Sequence, residues 1–220
     1  MHVGHFAVGL LAKRIEPKVS LGTLVLAAML ADFLWVVFLI TRIERVEFKP
    51  GMGAANYVAT MDVPWSHSLL MDVIWAALFA AAYFLRRRYP RGAWVLFASV
   101  LSHWLLDFVS LKSPVAPGVQ EEFGLRLWTS VPATILVEGG LWLVAIIVYA
   151  RSMRPKNRLG TYAFWIGIAL LTLSWYRNIT GPPPPSALVA AISSLIYFSL
   201  TVAWAYWMNR LRTANEVVRY

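Results

Sequence analysis

The chain predicts an all-α membrane protein, and three observations carry that prediction. Of its 220 residues, 59% are hydrophobic, and the mean hydropathy is +0.61. Only 14% are charged, against about 25% in soluble domains. The apolar residues also gather in stretches long enough to cross a hydrocarbon core of about 30 Å. The expected architecture is one helical membrane domain over 1–220, with about six transmembrane helices and a short N-terminal half-membrane helix. A metal-site part covers about 1–140, and two supporting spans lie within about 160–208. The net charge of +9 would suggest nucleic acid in a soluble protein. Here basic loops facing anionic lipid account for it, and no nucleic-acid partner is expected. The absence of cysteine excludes disulfides and thiolate metal sites, so any metal must be held by His, Asp or Glu.

Residues 2–12 are apolar but too short to span, because a helix rises only about 1.5 Å per residue. The apolar run Phe6 to Leu11 precedes Lys13 and Arg14, the reverse of a cleavable signal peptide, so His2 and His5 are expected to stay in the mature protein. A full-length span comes next over 19–40, interrupted by Asp32, and 41–65 is a polar connection with Gly51, Gly53 and Pro64. The second span, about 66–85, opens on Ser66-His67-Ser68 and stops at the basic run 86–91. The third, about 93–111, carries His103 and Asp107, and 112–130 is an irregular loop with Pro114, Pro117, Gly118 and Gly124. The fourth, about 131–150, contains Glu138-Gly139-Gly140. The fifth covers about 160–176, and Pro182 to Pro185 form a stiff spacer before the sixth, about 186–208.

The basic residues then set an orientation. Lys13, Arg14, Lys18, the arginines of 86–91, the basic run 151–158, Arg210, Arg212 and Arg219 fall on one side of the membrane. Arg42, Arg45, Lys49, Lys112, Arg126 and Arg177 fall on the other. The positive-inside rule therefore predicts a multi-pass protein with both termini cytoplasmic. Helix rise places Asp107, Glu138, His103 and Asp32 about 6 to 12 Å below the outer ends of their spans, and His5 about 12 Å in from the other face. His67 sits at the outer mouth. Ionisable side chains are costly at such depths and mark a functional site by default. His103 and Asp107, four apart, share a helix face. The expected metal ligands are thus His5, Asp32, His67, His103, Asp107 and Glu138, a set suited to zinc, or to manganese or iron, with one or two ions held. Bound cations would also neutralise carboxylates that would otherwise repel one another and take up protons.

Each of these residues has a structural reading as well. His5 and His2 can be interfacial, His67 can accompany the helix caps Ser66 and Ser68, Asp32 can pair with an arginine, and Glu138 can mark close helix packing. Asp72, five residues after His67 and so about 140° round a helix, is either in support of the site or unrelated. Trp128 and Ser130 stand at a possible entrance or in the aromatic belt.

Gly4-His5-Phe6, Ala31-Asp32, Ser66-His67-Ser68, Ser102-His103-Trp104-Leu105-Leu106-Asp107 and Val137-Glu138-Gly139 together resemble a bacterial family of predicted membrane-bound metal-dependent hydrolases. That family is distantly similar to the zinc-dependent phospholipase C and single-strand nuclease fold. The resemblance covers about 1–140 and implies that His103 and Asp107 form the metal pair, with His5, Asp32 and His67 as further ligands and Glu138 as an additional acid. Four histidines are fewer than the soluble enzymes use, which favours one or two ions over three.

The function expected from these residues is hydrolysis of a phosphate ester in a lipid or lipid-linked substrate at the outer leaflet of a bacterial inner membrane. Asp32 or Glu138 would be the catalytic base. The alternatives are a proton-coupled transporter or channel using the same residues, and a non-catalytic protein with a structural metal.

Overall fold

The computed structural model describes residues 1–48, 58–119 and 121–215. Lys49, the Gly51 to Gly53 part of the polar connection and Arg219 lie outside them. Among the described residues there are nine helices: α1 Val3–Ile15, α2 Leu21–Ala28, α3 Leu30–Ile40, α4 Pro64–His67, α5 Leu69–Arg87, α6 Pro90–Ser110, α7 Val131–Ser152, α8 Arg158–Thr180 and α9 Ala187–Leu211. Five of them, α5 to α9, are long and apolar enough to cross a membrane, and α2 with α3 makes a sixth if the bent pair counts as one span. The chain is an all-α, multi-pass membrane protein.

Local chemistry sets the helix ends. Ser20, Ser68, Ser130, Asn157 and Ser186 each accept a bond from a first-turn amide of the next helix, satisfying a donor the helix itself cannot. Pro90 starts α6 at a position where its missing N–H costs nothing. The span α5 ends on Arg88 in the left-handed conformation (φ 54°).

The short helix α1 occupies the middle of the bundle, against α2, α6 and α7. Val3, Phe6, Ala7 and Leu10 are at most 2% exposed. Lipid tails are as apolar as these side chains, so what holds such a helix is close packing rather than escape from water. Gly9 permits the approach to α2: a Cβ there would lie 2.7 Å from Val25 Cγ2 and 3.0 Å from Val25 Cα. The turn after α1 is tied down by Lys13, whose Nζ donates to Pro17 O (2.7 Å), Val19 O (2.8 Å) and Asn209 Oδ1 of α9 (2.8 Å). The outward faces of the long helices carry exposed Leu136, Trp94, Leu200 and Leu170, as lipid-facing surfaces require.

Three features differ from the sequence-based expectation. The first expected span is broken at Met29, where α2 and α3 meet at 56°. No Pro or Gly marks the break, and the freed backbone is bonded by another helix instead. The second expected span begins later than Ser66. Ser66 and His67 sit on the separate turn α4, and Ser68 is extended (ψ 150°) before α5. The connections also contain short antiparallel hairpins: β1 Arg45–Phe48 with β2 Val58–Asp62, β3 Ser113–Pro114 with β4 Glu122–Phe123, and β5 Met153–Pro155 with β6 Arg212–Ala214.

Candidate metal centre

The break at Met29 builds one wall of the site. Carbonyls at a helix C-terminus have no partner in their own helix. Ala28, the last residue of α2, offers its oxygen to His103 Nδ1 of α6 at 2.9 Å. A carbonyl only accepts, so Nδ1 carries a hydrogen, and Nε2 is the ring atom turned inward, with a lone pair for a ligand when the ring is neutral. Nε2 has no hydrogen-bond partner although His103 is only 1% exposed. It stands 3.5 Å from Asp107 Oδ2 and 3.8 Å from Asp32 Oδ1. Asp32 lies in the first turn of α3, where the helix dipole favours a carboxylate.

His67 is held by an equivalent device. Ser66 Oγ donates to Glu44 Oε2 at 2.6 Å and stands 2.7 Å from His67 Nδ1. With its hydrogen committed to Glu44, the hydroxyl accepts from Nδ1–H, and His67 Nε2 is left as the acceptor. That nitrogen lies 3.7 Å from Asp32 Oδ1 and 3.8 Å from Asp107 Oδ2. Glu44 is fixed in turn, because its Oε1 accepts the amides of Trp65 (2.9 Å) and Ser66 (2.7 Å). Burial pushes the Glu44 carboxyl above the ordinary glutamate value, against the pull of the Ser66 hydroxyl.

On the far side, His5 of α1 stacks its ring on His103 with centroids 3.7 Å apart and planes 3° from parallel. Its Nε2 is 3.3 Å from Asp107 Oδ1 and 2.9 Å from the Met1 nitrogen, which also bonds Asp107. Two sets of side chains thus place ligand atoms within 4.8 Å of one another: His5, His103 and Asp107, and Asp32, His67 and His103. Ligands about 2.0–2.1 Å from a tetrahedral ion stand about 3.3–3.4 Å apart. The separations here run from 3.3 Å for His5 Nε2 and Asp107 Oδ1 to 3.8 Å for the imidazoles facing Asp32 and Asp107, at or a little above that spacing. The buried His/Asp group fits a metal ion.

Five of the six expected ligands are therefore brought together, and Glu138 contributes no atom to either set. It is fully buried, and its carboxylate accepts from the Gly4 amide (3.2 Å) and the Trp128 indole (3.4 Å), which ties α7 to the start of α1 and to the loop before α7. His2, at the N-cap of α1, stacks on Tyr197 with 5.3 Å between centroids. Ser130 caps α7. Asp72 is buried and accepts the Trp104 amide at 3.1 Å, one residue from His103. The rotation of 140° from His67 assumed a continuous helix, and the extended Ser68 removes that assumption. Sequence reasoning missed Glu44 and the Ala28 carbonyl. Glu44 stands between surface-like arginines at 42 and 45 and reaches the site only through the fold.

The cluster opens on a cavity of about 690 Å³. His5, Asp32, His67 and Asp107 line it together with Trp128, Arg177, Pro182 and Tyr197, while Val46, Phe48 and Met61 of the β1–β2 hairpin supply an apolar side. Comparison of the chain with protein-family models, curated proteins and solved structures finds no match.

Proposed function

We propose that the protein is a membrane-embedded metal-dependent hydrolase acting on a phosphate ester of a lipid or lipid-linked substrate, in the outer leaflet of a bacterial plasma membrane, with the basic end of α1 and the C-terminus cytoplasmic and the Met1 end of α1 within the membrane at the site. The observation that carries this reading is the convergence of two imidazoles with hydrogen-bonded Nδ1 atoms, a third imidazole and two carboxylates beside an open cavity, whose wall all of them except His103 line. Zinc suits this donor set best. Both ligand sets draw on His103, and its Nδ1 is engaged by Ala28, so its single Nε2 lone pair serves one ion. His103 and Asp107 are assigned to that ion, with His5 3.3 Å from Asp107 on one side and His67 3.8 Å from it on the other, and a divalent charge balances Asp107 and Asp32.

When bound, the ion would polarise the phosphoryl oxygen and acidify a water. Asp32 is the base in this reading, because its carboxylate is 18% exposed and lines the cavity, whereas Glu138 is enclosed and engaged. It takes the proton as the water oxygen bonds to phosphorus, and returns it to the leaving alcohol when the ester P–O bond breaks. Arg177 on the cavity wall favours an anionic head group, and the apolar hairpin side favours its attached chain. The test is metal analysis of the purified protein together with an assay of phosphate release from lipid phosphates. About one ion per chain, and activity abolished in His103→Ala, is the expected result. A metal-free chain whose activity is unchanged by His103→Ala overturns the reading. Flux into liposomes that needs Asp107 but no metal would identify a transporter.

A further inference from the structure

A second cleft, of about 1040 Å³, lies at the opposite end of the bundle. Helix α5 links the two ends: it starts two residues after His67 and ends at Arg87, and its 19 residues cover about 28 Å. The cleft is lined by Lys18, Arg86, Arg87 and Arg88, by Ser20, Thr23, Tyr83, Tyr89 and Tyr206, and at its apolar part by Leu26, Phe79 and Ala82. No acid lines it among the described residues. The neighbouring Glu16 is already bound to Arg91 Nε (3.1 Å), Tyr89 Oη (2.9 Å) and the Lys18 amide (3.1 Å). Lys18, Arg86, Arg87 and Arg88 are all exposed, and Tyr206 crosses to Thr23 (3.1 Å), joining α9 to α2 across the cleft wall.

The order of chemistry along α5 is informative. Phe79, Ala82, Tyr83 and Arg86 are spaced by three, four and seven residues from the first, so they share one helix face. Read towards the helix end, that face presents an apolar ring, a phenol and then a cation over about 10 Å. An anionic phospholipid presents acyl chain, glycerol ester and phosphate in the same order. We infer that this cleft binds the phosphate head group of an anionic membrane lipid, with Lys18 and the Arg86 to Arg88 run as its cationic ligands and Phe79 and Leu26 against the start of its acyl chain. Such basic clefts between transmembrane helices are established lipid-binding arrangements. The inference is independent of the metal centre and of any hydrolytic activity.

The experiment uses the full chain in nanodiscs of equal phosphatidylcholine and phosphatidylglycerol, with retained lipids identified by native mass spectrometry. The wild-type chain is expected to retain phosphatidylglycerol preferentially. Each cleft cation removed lowers that preference about fivefold, so Arg86→Gln with Arg87→Gln lowers it about 25-fold, and Arg86→Lys with Arg87→Lys restores most of it. Arg151→Gln with Arg154→Gln, at the same end of the bundle but outside the cleft, is the charge control and leaves the preference in place. Equal retention of the two lipids, or an equal loss in the control pair, overturns the inference. Displacement of phosphatidylglycerol by excess inorganic phosphate also overturns it, by showing that the occupant is a soluble phosphate rather than a lipid.

Discussion

Ser66→Ala tests the mechanism that orients His67. The Ser66 hydroxyl is fully buried and bridges Glu44 Oε2 and His67 Nδ1 at 2.6 and 2.7 Å. Its removal leaves a buried imidazole N–H without an acceptor, which costs about 1–3 kcal/mol while the ring keeps its orientation. The ring escapes that cost by rotating, and Nε2 then leaves its position 3.7 Å from Asp32 and 3.8 Å from Asp107. Partners that orient metal-binding histidines are typically worth about 10–100-fold in metal affinity, which corresponds to about 1.4–2.7 kcal/mol. The fold around Glu44 persists, because its Oε1 keeps the Trp65 and Ser66 amides. Competition against a chelator of known zinc affinity measures the change on protein purified in detergent. The expected outcome is a weakening of zinc binding by about 10–100-fold with unchanged helix content, and Ser66→Thr, which retains a hydroxyl, staying close to wild type. A change of less than about threefold in Ser66→Ala would refute the argument that Glu44 and Ser66 set the His67 tautomer.

Asp107→Asn, at the carboxylate that faces three imidazoles, is expected to weaken zinc binding about 100-fold or more, whereas Asp72→Asn, at a carboxylate that accepts the Trp104 amide, changes it less than about threefold. The same chelator competition separates them, and equal losses would refute the assignment. Gly9→Ala forces a Cβ towards the Val25 backbone. Overpacking of this kind costs about 1–3 kcal/mol and exceeds the helix-propensity gain of about 1 kcal/mol, so the unfolding temperature falls. Since α1 carries His5, metal affinity falls with it. Glu44→Gln reports on the buried carboxyl: the folded-state value is raised, so wild-type stability from this group is present in acid and lost as pH rises through and above the ordinary glutamate range. The thermal stability of Glu44→Gln relative to wild type should therefore improve as pH rises through that interval, and a difference that is flat or falls with pH would show that Glu44 is not held as described.

Much of the fold was legible because the bilayer imposes a length and a polarity on each span. The boundaries of α6, α7, α8 and α9 lie within a few residues of those expected from apolar runs, capping residues and basic stops. His5, Asp32, His67, His103 and Asp107 stood out for the same reason, as scarce ionisable groups in apolar surroundings. The features that stayed hidden are those decided by long-range contact. Glu138 has the same local signature as Asp107, yet Gly4 and Trp128 take up its carboxylate. Glu44 reads as a surface acid until the chain folds Ser66 onto it. Nothing in Ala27-Ala28-Met29-Leu30 signals a bend, because the compensation for the lost helical bonding comes from His103, 75 residues away.

The bend at Met29 makes the distance between Ala28 and Asp32 a fixed measure. Each added or deleted residue turns the remainder of a helix by about 100°. One insertion between these positions would keep every side chain of the cluster in the sequence and leave every other span at its length, yet swing the Asp32 carboxylate away from His67 and His103. Evolution of this segment is therefore expected to tolerate exchanges of residue type at 29 and 30 far better than a change of a single residue in spacing.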